Sequence, residues 1–143
     1  MPVLPPPSTP SSNSPPVRGA GPARPEARIA RVQALGTAAA ALVRQARAES
    51  AVGDFPLAAA TLERALRIEP DHPQLWLELG QVRQAQHNYA QAEVMGRKAL
   101  SSADDHATQA LAWRLIAASL EARGLTREAA AASEKARQLG SSS

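Results

Sequence analysis

Few side chains in this 143-residue sequence could support chemistry: three histidines, His72, His87 and His106, and the paired carboxylates Asp104 and Asp105. Histidines hold zinc when two share one helix face, and paired carboxylates do acid–base work when their environments differ. The spacing meets neither condition. No two histidines stand three or four apart, all three fall between apolar-periodic segments, and His72 and His106 each follow an aspartate. Turn formation and helix capping are the roles expected of these histidines and aspartates. The sequence contains no G-x-S-x-G, P-loop or G-x-G-x-x-G pattern. It has no cysteine, so disulfides, thiolate metal sites and thiol nucleophiles are excluded. The expectation is a protein that binds another protein, with no enzymatic activity, cofactor or metal.

The elements that would position a binding surface divide sharply at Pro25-Glu26. Residues 1–25 hold nine of the twelve prolines, with Ser8, Thr9, Ser11, Ser12 and Ser14 between them, and only Val3 and Leu4 to seed a core. Such a segment buries too little apolar surface to offset its ordering entropy, and a disordered Pro/Ser-rich tether is expected. At about 3.1 Å per residue it would reach roughly 75 Å. It suits a spacer, or a PxxP ligand for a polyproline-binding partner.

Beyond Pro25 the pattern is helical throughout. Ile29, Val32, Leu35, Ala39, Leu42 and Ala46 recur at spacings of three or four, with Gly36-Thr37 placed to kink or split the helix. Further helices are expected from the Asp54-Phe55-Pro56 start to Glu69, from Pro73 to about Gln86, and near Tyr89–Ala103 with Asn88 as N-cap. A fifth ends at Arg123 before Gly124, and a sixth is capped by Thr126 and ends near Gly140. No segment alternates long enough to be a strand. Aromatic residues are only 3% of the chain while Ala and Leu dominate, which suits closely packed helices.

The net charge of +3 is misleading, because Arg18 and Arg24 leave 14 basic against 13 acidic groups in the remainder. No basic run with interleaved aromatics marks a nucleic-acid site. No apolar stretch approaches the ~18 residues of a membrane span, and the first residues lack a signal peptide's charged and apolar regions.

Self-similarity is the decisive feature. Gly53-Asp54-Phe55 aligns with His87-Asn88-Tyr89 at an offset of 34 residues, and the same offset pairs Ala58 with Ala92, Ala65 with Ala99 and Leu66 with Leu100. Three copies emerge, at about 39–72, 73–106 and 110–143. The second carries Trp76, Leu79, Gly80, Tyr89, Ala92 and Ala99; the third carries Trp113, Ile116, Ala117, Leu120, Gly124, Ala129 and Ala136. Three extra residues are needed around 101–109. This pattern resembles the tetratricopeptide (TPR) repeat. The expected fold is an all-α solenoid of about three helix-turn-helix repeats over 26–140, with an N-terminal helix extension at 26–38. Small Ala46, Gly80 and Ala117 would admit close helix approach within a hairpin, and Trp76 and Trp113 would fill the space between hairpins. Gly96 stands where the repeat usually has a large aromatic, and is expected to make room for a bulky neighbour such as Trp113.

The resemblance implies a concave groove lined by first helices. Carried over position by position, its candidate residues are Val43, Arg47 and Ser50; Gln74, Leu77, Gln81 and Gln84; and Leu111, Arg114, Ala118 and Glu121. They mix amides and apolar groups with two arginines, unlike the dense Lys/Arg clamp of chaperone-tail binders. A Pro/Ser-rich tether followed by a short TPR domain is also similar to LpoP-type outer-membrane lipoproteins. That likeness implies a lipidated cysteine upstream of Met1 as the only membrane attachment, and a place at the periplasmic face of the outer membrane. It implies a class A penicillin-binding protein as partner, activated by contact in peptidoglycan synthesis. The competing reading is a TPR adaptor or export-system chaperone in the cytoplasm, against which stand the proline-rich arm and the lack of net acidity.

Overall fold

The structure, a computed structural model, describes residues 34–141. These form six helices: α1 (Thr37–Ala51), α2 (Phe55–Ile68), α3 (Pro73–Ala85), α4 (Tyr89–Ser102), α5 (His106–Ala122) and α6 (Thr126–Ser141), with no strand among the described residues. The expected disordered tether and most of the expected 26–38 helix lie outside the described residues.

Side chains at the helix starts explain the punctuation. Asp54 accepts from the Leu57 amide at 3.2 Å, Asn88 from Gln91 at 3.4 Å and Asp105 from Thr108 at 2.9 Å. At α3 the cap is an imidazole: His72 Nδ1 accepts from the Gln74 amide at 3.2 Å, just ahead of Pro73. Each satisfies an amide that the first helical turn leaves unpaired. One boundary differs from expectation. Thr126 is the first residue of α6 and not its cap, because the helix already begins with the Ala129 amide bonding to Leu125 O at 2.9 Å. At Gly36-Thr37, where the sequence places a kink or split, Gly36 is extended and α1 starts at Thr37; the Gly36 amide donates to Glu69 Oε2 at 2.8 Å.

All three hairpin turns use one device. Gly53 (φ 84°), His87 (φ 60°) and Gly124 (φ 81°) occupy the left-handed region directly after the first helix of each pair. The amide of the following residue then reaches back to the helix, Asp54 to Glu49 O, Asn88 to Arg83 O and Leu125 to Leu120 O, at 2.8–2.9 Å. This double-bonded helix end fits glycine best. His87 adopts the same geometry with its ring Nδ1 2.8 Å from the Tyr89 hydroxyl.

The hairpins α1/α2, α3/α4 and α5/α6 stack through α2 on α3 and α4 on α5, and α3 also touches α5. Three apolar clusters follow one another along the stack, with Trp76 and Leu100 each packed against two of them. Leu62, Leu75 and Ile116 are the largest apolar side chains fully withdrawn from water. A core strung out in this way is what nearest-neighbour stacking produces.

Close approach depends on two glycines. A Cβ on Gly80 would collide with Leu115 Cδ2 and lie 3.2 Å from Met95 Cβ. One on Gly96 would lie 2.8 Å from Ile116 Cγ1 and 3.4 Å from the Ala112 carbonyl oxygen. The bulky neighbour of Gly96 is therefore Ile116 and not Trp113, whose ring instead lies 4.9 Å under Lys135 Nζ. Trp76 stands the same distance under Lys98 and donates from Nε1 to Pro70 O at 3.0 Å. The three extra residues appear as added helix: α5 has 17 residues against 13 in α3, and its first turn precedes Ala110. On α6, Ala129, Ala132 and Ala136 are buried against the stack, while Ala130, Ala131 and Ser133 are exposed.

Candidate functional site

The first helices α1, α3 and α5 lie side by side and enclose a groove of about 770 Å³. Six of the eleven sequence-derived residues line it: Arg47, Ser50, Gln74, Leu77, Gln81 and Leu111. Phe55 adds apolar surface, with the buried Leu62 and Val82 behind the lining, and His72 and Pro73 contribute from the start of α3. Leu77 is largely covered, whereas Leu111 remains 49% exposed.

The other five lie elsewhere. Val43 is only 3% exposed and belongs to the first core cluster beside Ala39, Ala46 and Ala58, so it is packing and not groove wall. Gln84 is half-buried and donates from Nε2 to Ser119 Oγ at 3.4 Å, tying α3 to α5. Ser119 in turn donates to Leu115 O at 2.8 Å, which satisfies a hydroxyl with no water access. Arg114, Ala118 and Glu121 line a second, smaller depression of about 340 Å³ between α5 and α6, with Ala129, Ala130 and Ser133.

Electrostatics in the groove centre on a residue outside the eleven. Glu78 pairs with Arg47: the guanidinium Nε lies 3.2 and 3.1 Å from Oε1 and Oε2, and NH2 contacts Oε2 as well. The hydrogen bond to Glu78 and its charge hold the Arg47 pKa above its ordinary value, with burial opposing slightly. Glu78 directly follows Leu77, so the family's groove positions bracket it without including it. Thr108 is another polar lining residue that the repeat positions do not include. It reaches the groove from the added first turn of α5, and the shifted register of the third repeat is its sequence signal.

The residues that could have done chemistry are dispersed. Among the described residues no three His, Cys, Asp or Glu side chains gather as metal ligands would. His72 caps α3, His87 turns a hairpin, and His106 opens α5. Asp105 caps α5 while Asp104 is exposed beside it. What the geometry offers is a recess with apolar walls, amide rims and one internal ion pair. Such a surface can hold a polypeptide segment.

Comparison with known proteins agrees with this architecture. The Tetratricopeptide repeat family matches residues 39–82. A solved structure, the globular C-terminal domain of P. aeruginosa LpoP, is similar at 43% sequence identity with a TM-score of 0.70, covering 73% of this chain and 99% of that one. No curated protein matches the chain.

Proposed function

Since the chain belongs to the LpoP-type family of tetratricopeptide proteins, we propose that it is the binding module of a bacterial envelope lipoprotein, and that it activates a class A penicillin-binding protein by direct contact. The observation that carries this reading is the 43% identity extending over 99% of the LpoP domain. The dispersed histidines and carboxylates and the intact binding recess favour a non-catalytic role. The same kinship favours the periplasmic face of the outer membrane as its location. A lipid group would supply attachment, since no described helix is long and apolar enough to cross a bilayer. In this arrangement the groove of α1, α3 and α5 faces the synthase, and Arg47, Ser50, Gln74, Leu77, Gln81 and Leu111 contact it.

The test is the rate of glycan polymerisation by a class A penicillin-binding protein with and without the full chain. A several-fold rise is expected. An unchanged rate with a correctly folded protein would sink the activation reading. Binding without a change in rate would favour a TPR adaptor instead.

A further inference from the structure

Among the residues lining the groove stand one guanidinium and one carboxylate, and each is engaged by the other. Arg47 meets Glu78 through Nε and NH2, the edge of the fork that grips carboxylates two bonds at a time. The Glu78 side chain is 14% exposed against 59% for Arg47, so the acid is set into the wall and holds the arginine against it. A chain terminus or acidic side chain entering here would find the Nε and NH2 edge of the cation already taken and a largely buried anion beside it. The apolar surface that the groove leaves open is carried by the half-exposed Leu111 and the half-buried Phe55, while Leu77 and Val82 are largely covered.

Resting on the protein-binding reading above, we infer that the groove takes an internal, uncharged segment of its protein partner through one apolar side chain of leucine or phenylalanine size. Glu78 sets this specificity by occupying Arg47. The acid thus excludes wrong ligands more than it attracts the right one, a common way of building discrimination. Removing its charge while keeping its shape releases the guanidinium for an incoming carboxylate.

The experiment titrates the isotope-labelled full chain with two probes, an acetylated Ser-Gly-Leu-Phe peptide amide and the same peptide with a free C-terminal carboxylate. We expect the amide to shift the backbone resonances of Leu77 and Leu111 and to bind about fivefold tighter than the acid. In Glu78→Gln the order reverses, the acid gaining about tenfold and the amide changing by less than about twofold. Arg47→Met, which removes the cation and leaves the acid, rejects the carboxylate more strongly still. A wild-type preference for the acid, or a Glu78→Gln variant with unaltered preference, overturns the inference. So does the absence of shifts at Leu77 and Leu111 with either peptide. Shifts there on dilution of the protein alone would assign the groove to a second copy of the chain, and would overturn the inference equally. Each of these outcomes is independent of synthase activation, which the polymerisation rate reports separately.

Discussion

The two ends of the concave face are made from the same repeating unit yet differ in enclosure. Toward the N-terminus, α1, α3 and α5 stand side by side and wall a groove of about 770 Å³. Toward the C-terminus, among the described residues, no further inner helix follows α5, and the depression between α5 and its hairpin partner α6 measures about 340 Å³. The arginine at each end shows the contrast. Arg47 is matched by Glu78 from the neighbouring inner helix, whereas Arg114 shares its depression with Glu121 of its own helix. A recess in a stacked array is therefore a property of adjacent units and not of a unit alone.

The largest effect expected in testing that contrast is from Ile116→Ala. This side chain has no solvent access and packs in the last apolar cluster, so truncation should cost about 3 kcal/mol. Denaturant unfolding measures the loss. Hydrogen exchange should show faster opening of α5 and α6 than of α1 and α2; uniform acceleration would mean that the two ends are one cooperative unit.

Next comes Gly96→Ala, expected to destabilise by about 1–3 kcal/mol even though alanine is the better helix former by about 1 kcal/mol. It should exceed Gly80→Ala in the same melting experiment. Both positions have a backbone carbonyl near 3.4–3.5 Å, but the nearest obstacle at Gly80 is the movable tip of Leu115, whereas at Gly96 it is Cγ1 of the branched Ile116.

Leu111→Ser should leave stability within about 0.5 kcal/mol while weakening partner binding about tenfold, measured by calorimetry. Ala118→Ser, its counterpart in the smaller depression, should do neither. Equal losses would erase the functional distinction between the ends. The smallest effect belongs to Glu78→Gln, expected to cost under about 1 kcal/mol in low salt because Arg47 is more than half exposed, and less in high salt. A thermal melt at two ionic strengths checks it.

Much of the fold is legible in the sequence because local rules and repeat spacing agree. Asp54, Asn88 and Asp105 are caps, Pro73 opens a helix, and the first two hairpin turns lie at the 34-residue offset, the third coming three residues later. The interior contacts are less legible, because an offset fixes which positions correspond but not which way each side chain finally packs. Val43 and Arg114 are equivalent positions, yet one is core and the other lines an open depression, since the inner helices at the two ends have different neighbours. Gly96 is readable as a space-maker, but the occupant of the space depends on how α5 lies across α4. Glu78 escapes notice because its importance comes from Arg47, 31 residues away. The groove's repeat positions can be named in part from spacing alone, and its charge logic cannot.

The extra turn at the start of α5 has a consequence for how such a protein can diversify. Helix added at a leading end leaves every later residue in phase, so the stack downstream keeps its fit. The added turn nevertheless carries Thr108 to the rim of the groove. Variation in the length of this one helix would thus reshape the mouth of the recess while sparing the spacing of the units, giving relatives a route to new clients at little risk to folding.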